Sequence, residues 1–370
     1  MMKASTVGVV LAVVSSALLV PVPPTAAQPT ARACDPLGRI QFLCDVVSPE
    51  DFALVPGTEW IMTSGNRAGQ GAIRALNARD RKITTVFPSS TATRPDTRTY
   101  PTCPGPLDLA VPAEQSRFAM HGMYLKPGRK NIHTLYVVHH GARESIEVFE
   151  LDGALRPPSV TWVGCVVAPE NGVFNAVVGL PEGGVAATNI PRTGGPQPGT
   201  PGTSSDAASA GGGRGGAGSN PIGAVWEWHA STGWQAVPGS ETARINGLEV
   251  SKDGKWFYIA GWGDQTFIRL ERGARPVRKD VLPMPFRIDN VRLMDNGTIL
   301  AAGHGGTALC SCPTETWHVG RIDPRALKVQ ELLRQPYVEG FGAATVAVQV
   351  GREIWIGTNR GDRVGYFPGP

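Results

Sequence analysis

A short unit recurs along the chain from Glu50 to the C-terminus, and this repeat constrains the fold more than any other feature. Each unit has a polar residue at its start, followed by an alternating apolar run, a turn and a second apolar run. The polar residue is the first or second of the unit in EDFALVPGTEWIMTSGN, INGLEVSKDGKWFYIAGWG and IDNVRLMDNGTILAAGHGG. Asp253-Gly254 and Asn296-Gly297 are typical of hairpin turns between such runs. A period of about 40 to 50 residues indicates the blades of a β-propeller.

The number of units predicts the size of the ring. Further units begin at HGMYL, FNAVV and GAATV, which makes about six. We therefore predict an all-β, six-bladed β-propeller that forms one domain from residue 28 to residue 370. The last unit is one strand short, and we expect Ile40–Val47 to pair with it, because a closed ring has no exposed sheet edge. A β-sandwich is the alternative, but it does not explain why a polar residue opens each unit.

The N-terminus predicts export. Lys3 precedes an apolar run from Val7 to Val20, and small residues follow at Thr25–Ala27. This pattern is typical of a cleavable signal peptide over residues 1–27, with a mature chain that starts near Gln28. A retained membrane anchor is the alternative, although no second stretch is long and apolar enough for a stable membrane span. We expect a secreted or periplasmic protein.

Export places the cysteines in an oxidising compartment, where an even number favours disulfides. The chain has 6 Cys. Cys103–Cys165 is the favoured pair, and Cys34–Cys44 and Cys310–Cys312 are weaker suggestions. Alternatively, Cys310 and Cys312 form half of a metal site with His304 or His318, but their spacing matches no common zinc pattern.

Two further features of composition narrow the interpretation. The formal net charge is only +4, and no dense basic stripe with interleaved aromatic residues is present, so nucleic acid is not an expected partner. The Gly/Pro/Ser-rich stretch from Pro191 to Gly223 lacks the apolar residues that a packed core needs. We predict a flexible surface insertion there.

Oxygen-bearing side chains stand at the start of several units. In a propeller the first strand of each blade lines the central tunnel, so these positions converge near the axis. They are Glu50, Asn175, Asn246, Asp289 and Asn290. Two carboxylates and three amide oxygens are hard donors that suit Ca²⁺, which accepts six to eight oxygen ligands. The alternative is that each residue only caps a turn, the commonest role of Asn and Asp in such positions.

Three histidines occupy related positions. His121 opens an inner strand, His140 ends the next strand, and His304 ends another. His121 and His140 are candidates for a catalytic pair, because a histidine can accept a proton near neutral pH. The remaining histidines, which we expect on the surface or in packing, are His133, His139, His229 and His318. No GxSxG motif is present, so water is the expected nucleophile of a hydrolase.

These motifs, in this order, resemble the serum paraoxonase/arylesterase family of calcium-dependent lactonases, within the wider group of gluconolactonase, SMP-30 and strictosidine-synthase-like propellers. The matching stretches run from SPEDFALVPGTEWIMTSG through HGMYL, LYVVHHGARESIEVFEL, NAVVGLPEGGVAATN, INGLEVSKDGKWFYIA and RIDNVRL to GAATVAVQVGREIWIGT. The resemblance implies that the five oxygen-bearing residues hold a catalytic calcium, that His121 and His140 form a dyad, and that His304 lines the pocket. Loops after His140, Asn189 and Thr358 are expected to roof it, with Asn189 among the lining residues.

The chain also departs from the family pattern. Family members have Asp directly after the residue that matches Asn175, where it holds a second, structural calcium together with the residue that matches Asp51. This chain has Ala176 at that position. The resemblance therefore leaves the second calcium in question.

Two classes of function remain open. The leading hypothesis is a secreted, calcium-dependent hydrolase of small esters or lactones, with His121 as the base and Glu50 or Asp289 as competing candidates. The alternative is a non-catalytic exported propeller with a structural calcium that binds a partner, because one fold supports many functions. A Pictet–Spengler enzyme, as in the strictosidine branch, would need a tunnel-facing carboxylate where His121 stands.

Overall fold

The computed structural model describes residues 33–88, 92–111, 115, 117–191, 221–305 and 315–370. Strands and turns build this part of the chain, and no helix in it is long and apolar enough to cross a membrane. The predicted signal peptide lies outside the described residues. So does most of the predicted insertion, 192–220, whereas Ile222 and Gly223 at its predicted end already belong to a strand.

Six antiparallel sheets form the six blades, which confirms the predicted all-β propeller. The first blade contains β3 (Pro49–Leu54), β4 (Trp60–Gly65), β5 (Ala72–Asn77) and β6 (Ile83–Phe87). The second contains β7 (Ala119–Lys126), β8 (Ile132–His140), β9 (Ser145–Asp152) and β10 (Ser159–Val167). The third contains β11 (Phe174–Gly179), β12 (Val185–Asn189), β13 (Ile222–His229) and β14 (Gly233–Ala236), with β15 (Thr242–Ala243) paired to β13.

The remaining blades follow the same plan. The fourth contains β16 (Ile245–Val250), β17 (Trp256–Gly261), β18 (Thr266–Glu271) and β19 (Lys279–Pro283). The fifth contains β20 (Arg287–Leu293), β21 (Ile299–Gly305), β22 (Thr316–Asp323) and β23 (Lys328–Pro336). The sixth contains β24 (Ala344–Val350), β25 (Glu353–Thr358) and β26 (Arg363–Pro368), and its outer strands are β2 (Ile40–Cys44) and β1 (Ala33–Leu37).

The N-terminal strand β2 closes the ring, as the sequence predicted. It pairs antiparallel with β26, with Gln41 opposite Tyr366 and Leu43 opposite Val364. The chain then runs from β2 into the first blade, and Val46 N donates a hydrogen bond to Asp362 O at 2.7 Å. Phe42 on β2 is buried against Phe341. The last blade is therefore completed by both ends of the chain.

Apolar side chains on the two faces of each sheet interleave with those of the neighbouring blades. Between the first and second blades, for example, Met62 and Ile73 share a buried cluster with Met123, Val137 and Phe149. The inner strands β3, β7, β11, β16, β20 and β24 are neighbours in this order around the tunnel, and β24 returns to β3. This packing fixes the six inner strands relative to one another.

Two disulfides are present among the described residues. Cys103 pairs with Cys165 and joins the connection after the first blade to β10, as the favoured prediction had it. Cys34 pairs with Cys44 and joins β1 to β2, which confirms one of the weaker suggestions. Cys310 and Cys312 lie outside the described residues, so their predicted pairing and the alternative metal half-site stay predictions.

Candidate active site

Each inner strand has a β-bulge at the same point, and the bulges place the site residues. The register shifts between Pro49 and Phe52, Met120 and Met123, Phe174 and Val177, Ile245 and Leu248, Ile288 and Val291, and Ala344 and Ala347. A bulge turns the side chains of its unpaired residues away from the regular alternation. The first bulge residues of successive blades are Glu50, His121, Asn175, Asn246, Asp289 and Thr345.

Glycine at the second bulge position allows neighbouring inner strands to approach each other. A Cβ added to Gly122 would lie 2.2 Å from the backbone oxygen of Asn175 on the next blade. A Cβ added to Gly247 would lie 2.5 Å from the backbone oxygen of Asp289. Any residue with a Cβ at either position would clash with the backbone of the next blade. In each of the pairs His121-Gly122 and Asn246-Gly247, the first residue therefore carries the polar side chain. The glycine leaves room for the inner strand of the next blade.

The predicted metal ligands are buried, and hydrogen bonds join four of them in two pairs. Asn290 Nδ2 donates a hydrogen bond to Glu50 Oε1 at 3.0 Å, which joins the fifth blade to the first. The side chains of Asn246 and Asp289 are hydrogen-bonded to each other, which joins the fourth blade to the fifth. Four oxygens in this group are buried without a hydrogen-bond partner: Glu50 Oε2, Asn175 Oδ1, Asn246 Oδ1 and Asn290 Oδ1.

Burial and neighbouring negative charges together disfavour the ionised form of the carboxyls in this group. Burial, followed by the charges of Glu50 and Asp51, raises the pKa of Asp289 well above its usual range. Burial also raises the pKa of Asp51 to about 6, although the nearby Arg292 opposes the shift. A bound cation would relieve this repulsion. No group of three or more His, Cys, Asp and Glu in the described ranges is arranged for a metal, so amide oxygens must complete any such site.

His121 and His140 lie side by side across the second blade, with His121 Nδ1 2.8 Å from His140 Nε2. His140 Nδ1 lies 2.9 Å from Glu144 Oε2, and the other carboxylate oxygen of Glu144 accepts the backbone N–H of Phe174 at 2.9 Å. A carboxylate oxygen only accepts hydrogen bonds, so Nδ1 of His140 is the donor to Glu144. In that tautomer Nε2 of His140 accepts a hydrogen bond from Nδ1 of His121.

This arrangement fixes which nitrogen of His121 is available. Its Nε2 carries the lone pair when the ring is neutral, and it lies 3.5 Å from Glu50 Oε1. Burial lowers the pKa of His121, but the charge of Glu50 and a hydrogen bond with Glu50 outweigh burial, so the pKa is raised. Sequence reasoning missed Glu144. Glu144 stands in the turn between β8 and β9, four residues after His140, and this spacing was the one sequence feature that pointed to a contact between them.

His304 lies next to the predicted ligands. Its Nε2 accepts a hydrogen bond from Trp262 Nε1 at 2.8 Å and lies 3.8 Å from Asp289 Oδ2. Burial, with a contribution from the positive charge of Arg360, lowers the pKa of His304 to about 3. His304 is therefore neutral at physiological pH. Trp262, which orients it, was not predicted from the sequence.

Asn189 is buried at the end of β12, but its side-chain oxygen accepts the backbone N–H of Val173 at 2.9 Å. It thereby holds the start of β11, next to Asn175. Of the four other histidines, His139, His133 and His318 are buried and His229 is half-buried. His139 bonds Arg143 O, and His318 contacts Glu331 and Thr316. These contacts agree with the packing role expected of both residues.

Comparison with solved structures places the chain among propellers of similar size. It is similar to a luciferin-regenerating enzyme, with 13% sequence identity, a TM-score of 0.53 and coverage of 88% of this chain and 93% of that chain. It is also similar to a putative gluconolactonase, with 15% identity, a TM-score of 0.51 and coverage of 88% and 89%. At such identities the likeness shows the fold.

The sequence matches no established family profile and no curated protein. The solved structures show a shared propeller fold. They do not single out the paraoxonase family.

Proposed function

We propose that this protein is an exported calcium-dependent hydrolase of small carboxylic esters or lactones. The observation that carries the proposal is the set of four unpartnered, buried oxygens contributed by the first, third, fourth and fifth blades: Glu50 Oε2, Asn175 Oδ1, Asn246 Oδ1 and Asn290 Oδ1. A buried acceptor without a partner costs about 1 to 3 kcal/mol, so four around one axis call for a ligand.

Calcium fits this donor set. Asp289 adds a second carboxylate beside that of Glu50. Burial, followed by the charges of Glu50 and Asp51, raises its pKa, and a divalent cation would favour the ionised form. Carboxylate and amide oxygens are the ligands that Ca²⁺ prefers, whereas transition metals favour thiolate and imidazole. When bound, the ion would polarise the substrate carbonyl and stabilise the developing oxyanion.

His121 is the proposed base. Its Nε2 faces the site and would accept a proton from the attacking water, while His140 and Glu144 hold the ring and its tautomer through bonds of 2.8 and 2.9 Å. Once the charge of Glu50 is neutralised, burial again favours the neutral imidazole, which is the form that accepts a proton. Glu50 and Asp289 are the competing candidates, and His304 is proposed to line the substrate pocket.

One solved structure bears on the substrate class. One similar propeller is described as a putative gluconolactonase, and the shared fold extends over most of both chains. A lactone is a cyclic ester, so the same polarised carbonyl and attacking water would serve both substrates. We therefore place small lactones beside aryl esters in the proposed range.

The test is hydrolysis of phenyl acetate and a panel of small lactones, with and without a calcium chelator. We expect activity that the chelator removes and added calcium restores, and that His121→Gln abolishes. His229→Gln is the matched control, because His229 is half-buried on β13 and contacts Glu227 instead of the site. Activity that survives chelation would contradict the metal mechanism. Bound calcium without hydrolysis of any substrate would favour the alternative, a non-catalytic propeller that binds a partner.

Export is a separate part of the proposal. The two disulfides among the described residues are compatible with an oxidising compartment. Mass spectrometry of the protein recovered outside the cytoplasm should give a mature N-terminus near Gln28. An intact Met1 on the exported protein would overturn cleavage.

A further inference from the structure

A buried guanidinium lies beside the proposed calcium site. Arg292 is on β20, two residues after Asn290, and only 8% of the residue is exposed. Its Nη2 forms an ion pair with Asp51 Oδ1. Buried arginines require this kind of pairing, because an unpaired buried charge is costly.

Backbone oxygens from three blades accept hydrogen bonds from this guanidinium. Arg292 Nε donates to Phe52 O on β3 at 2.9 Å, and Nη2 donates to Met123 O on β7 at 3.1 Å. A third nitrogen, Nη1, donates to Val291 O at 2.6 Å. One side chain thus links the inner strands of the first, second and fifth blades. A carboxylate and two carbonyl oxygens on separate strands are also what a small hard cation would bind.

Both carboxylate oxygens of Asp51 are engaged by neighbouring groups. Its Oδ2 accepts Met123 N at 2.7 Å and its Oδ1 accepts Phe52 N at 2.8 Å, in addition to the ion pair with Arg292. A second buried carboxyl, that of Glu249, accepts hydrogen bonds from the backbone N–H groups of Val250 and Leu293 and interacts electrostatically with Arg292. The guanidinium is therefore ion-paired with Asp51 and lies within electrostatic reach of Glu249.

The family resemblance implies a second, structural calcium at Asp51, and the residues present do not fit one. Ala176, at the second bulge position of β11, contributes no side-chain oxygen. The oxygens of Asp51, Phe52 and Met123 already receive hydrogen bonds from Arg292. A divalent ion placed there would meet a fixed positive charge instead of a cluster of free oxygens.

We infer that the Arg292 guanidinium takes the place of a second, structural calcium. The axis of this propeller then binds one calcium ion, and its second cation is the side chain of Arg292, which is part of the chain itself. The tethered cation cannot dissociate or be removed by a chelator. The link between the first, second and fifth blades should therefore persist at calcium concentrations that empty the proposed catalytic site.

Calcium stoichiometry tests the inference. Chelator-treated full-length protein is titrated with calcium by isothermal calorimetry, and equilibrium dialysis gives an independent count. One tight ion per chain is the expected result, and two would overturn the inference. Zero ions would overturn the calcium site of the proposed function, and the variants below would then still decide the role of Arg292.

Variants at Ala176 and Arg292 distinguish the effect of the guanidinium on calcium binding from the effect of the missing side-chain oxygen. Ala176→Asp alone should add no calcium, because Arg292 still occupies the oxygens. The double variant Ala176→Asp/Arg292→Met should gain one ion, and calcium should recover most of the thermal stability that Arg292→Met loses, roughly 10 °C for a broken buried pair. Arg292→Lys retains a cation and should add no ion. A second ion in Ala176→Asp alone, or none gained in the double variant, contradicts the inference.

Discussion

Asn290 donates a hydrogen bond from Nδ2 to Oε1 of Glu50 at 3.0 Å, across the tunnel between the fifth blade and the first. The bond uses one polar atom of each side chain and leaves Glu50 Oε2 and Asn290 Oδ1 without partners in the same buried region. The amide and the carboxylate therefore hold each other in place while each keeps one oxygen available. This is the arrangement expected of a preformed cation site.

Asn246→Ala should weaken calcium binding, because it removes one of the four unpartnered oxygens and the hydrogen bond to Asp289. Loss of one ligand is expected to lower turnover of phenyl acetate by roughly 10² to 10³. The rise in thermal midpoint on adding calcium should also shrink. Calorimetry and thermal denaturation with and without calcium measure both effects. The control is Asn296→Ala in the exposed β20–β21 turn, and equal calcium affinity losses in the two variants would contradict the assignment.

Glu144→Gln should slow the reaction without removing calcium. The amide can no longer act as a charged acceptor for His140 Nδ1, so the tautomer that leaves the lone pair on His121 Nε2 is less favoured. We expect kcat to fall roughly 10²-fold with a changed pH–rate profile, at the lower end of the range for losing a base. Glu144→Asp should restore part of the rate. Glu150→Gln, on β9 in a surface pair with Arg94, is the control. An unchanged pH profile in Glu144→Gln would exclude the positioning role.

Calcium binding should release protons near pH 6. In the metal-free protein burial raises the pKa of Asp51 to about 6 and that of Asp289 well above its usual range. Between about pH 4 and these raised pKa values the two carboxyls therefore hold more protons in the folded chain than in the unfolded chain. These two groups therefore make the metal-free fold less stable as pH rises from about 4 through 6. Calcium favours the ionised carboxylates, so its affinity should rise with pH. Calorimetry at pH 6 in two buffers of different ionisation enthalpy measures the protons released, and equal heats would refute the linkage.

Phe42→Ala should destabilise the ring at its closure. Phe42 is 2% exposed on β2 and packs against Phe341, so truncation leaves a cavity that costs about 3 to 5 kcal/mol. Gln41→Ala is the matched control, since Gln41 is exposed on the same strand and its truncation should change stability by less than about 0.5 kcal/mol. Denaturant unfolding compares the two variants. Equal stabilities would show that β2 does not hold the sixth blade.

Much of the fold could be predicted from local sequence patterns. Asp253-Gly254 and Asn296-Gly297 form the turns of the β16–β17 and β20–β21 hairpins, and both glycines have positive φ. The segment Ile40–Val47 completes the last blade because a missing strand leaves one unpaired edge. These features depend on residues close in sequence or on simple counting of strands.

Other features depend on contacts that sequence spacing does not reveal. The β-bulges are defined by the register of two strands, and no residue type requires them. Glu144 reaches His140 through the shape of a turn, and Arg292 reaches Asp51 although 241 residues separate them. The flexible insertion was predicted to extend to Gly223, but Ile222 and Gly223 belong to β13, because they pair with Ala243 and Thr242. Pairing partners far along the chain determine such boundaries.

The six equivalent bulges have a consequence for how such proteins diversify. A bulge is maintained by the backbone pairing on either side of it, so its first residue can be exchanged while the hairpin that carries it stays the same. In this chain the six positions hold two carboxyl groups, two amides, one imidazole and one hydroxyl. Substitution at a single position can thus change the chemical group presented at this point of the blade and leave folding to the rest of the blade. Mutational libraries confined to these six codons are a compact route to new reactivities on this scaffold.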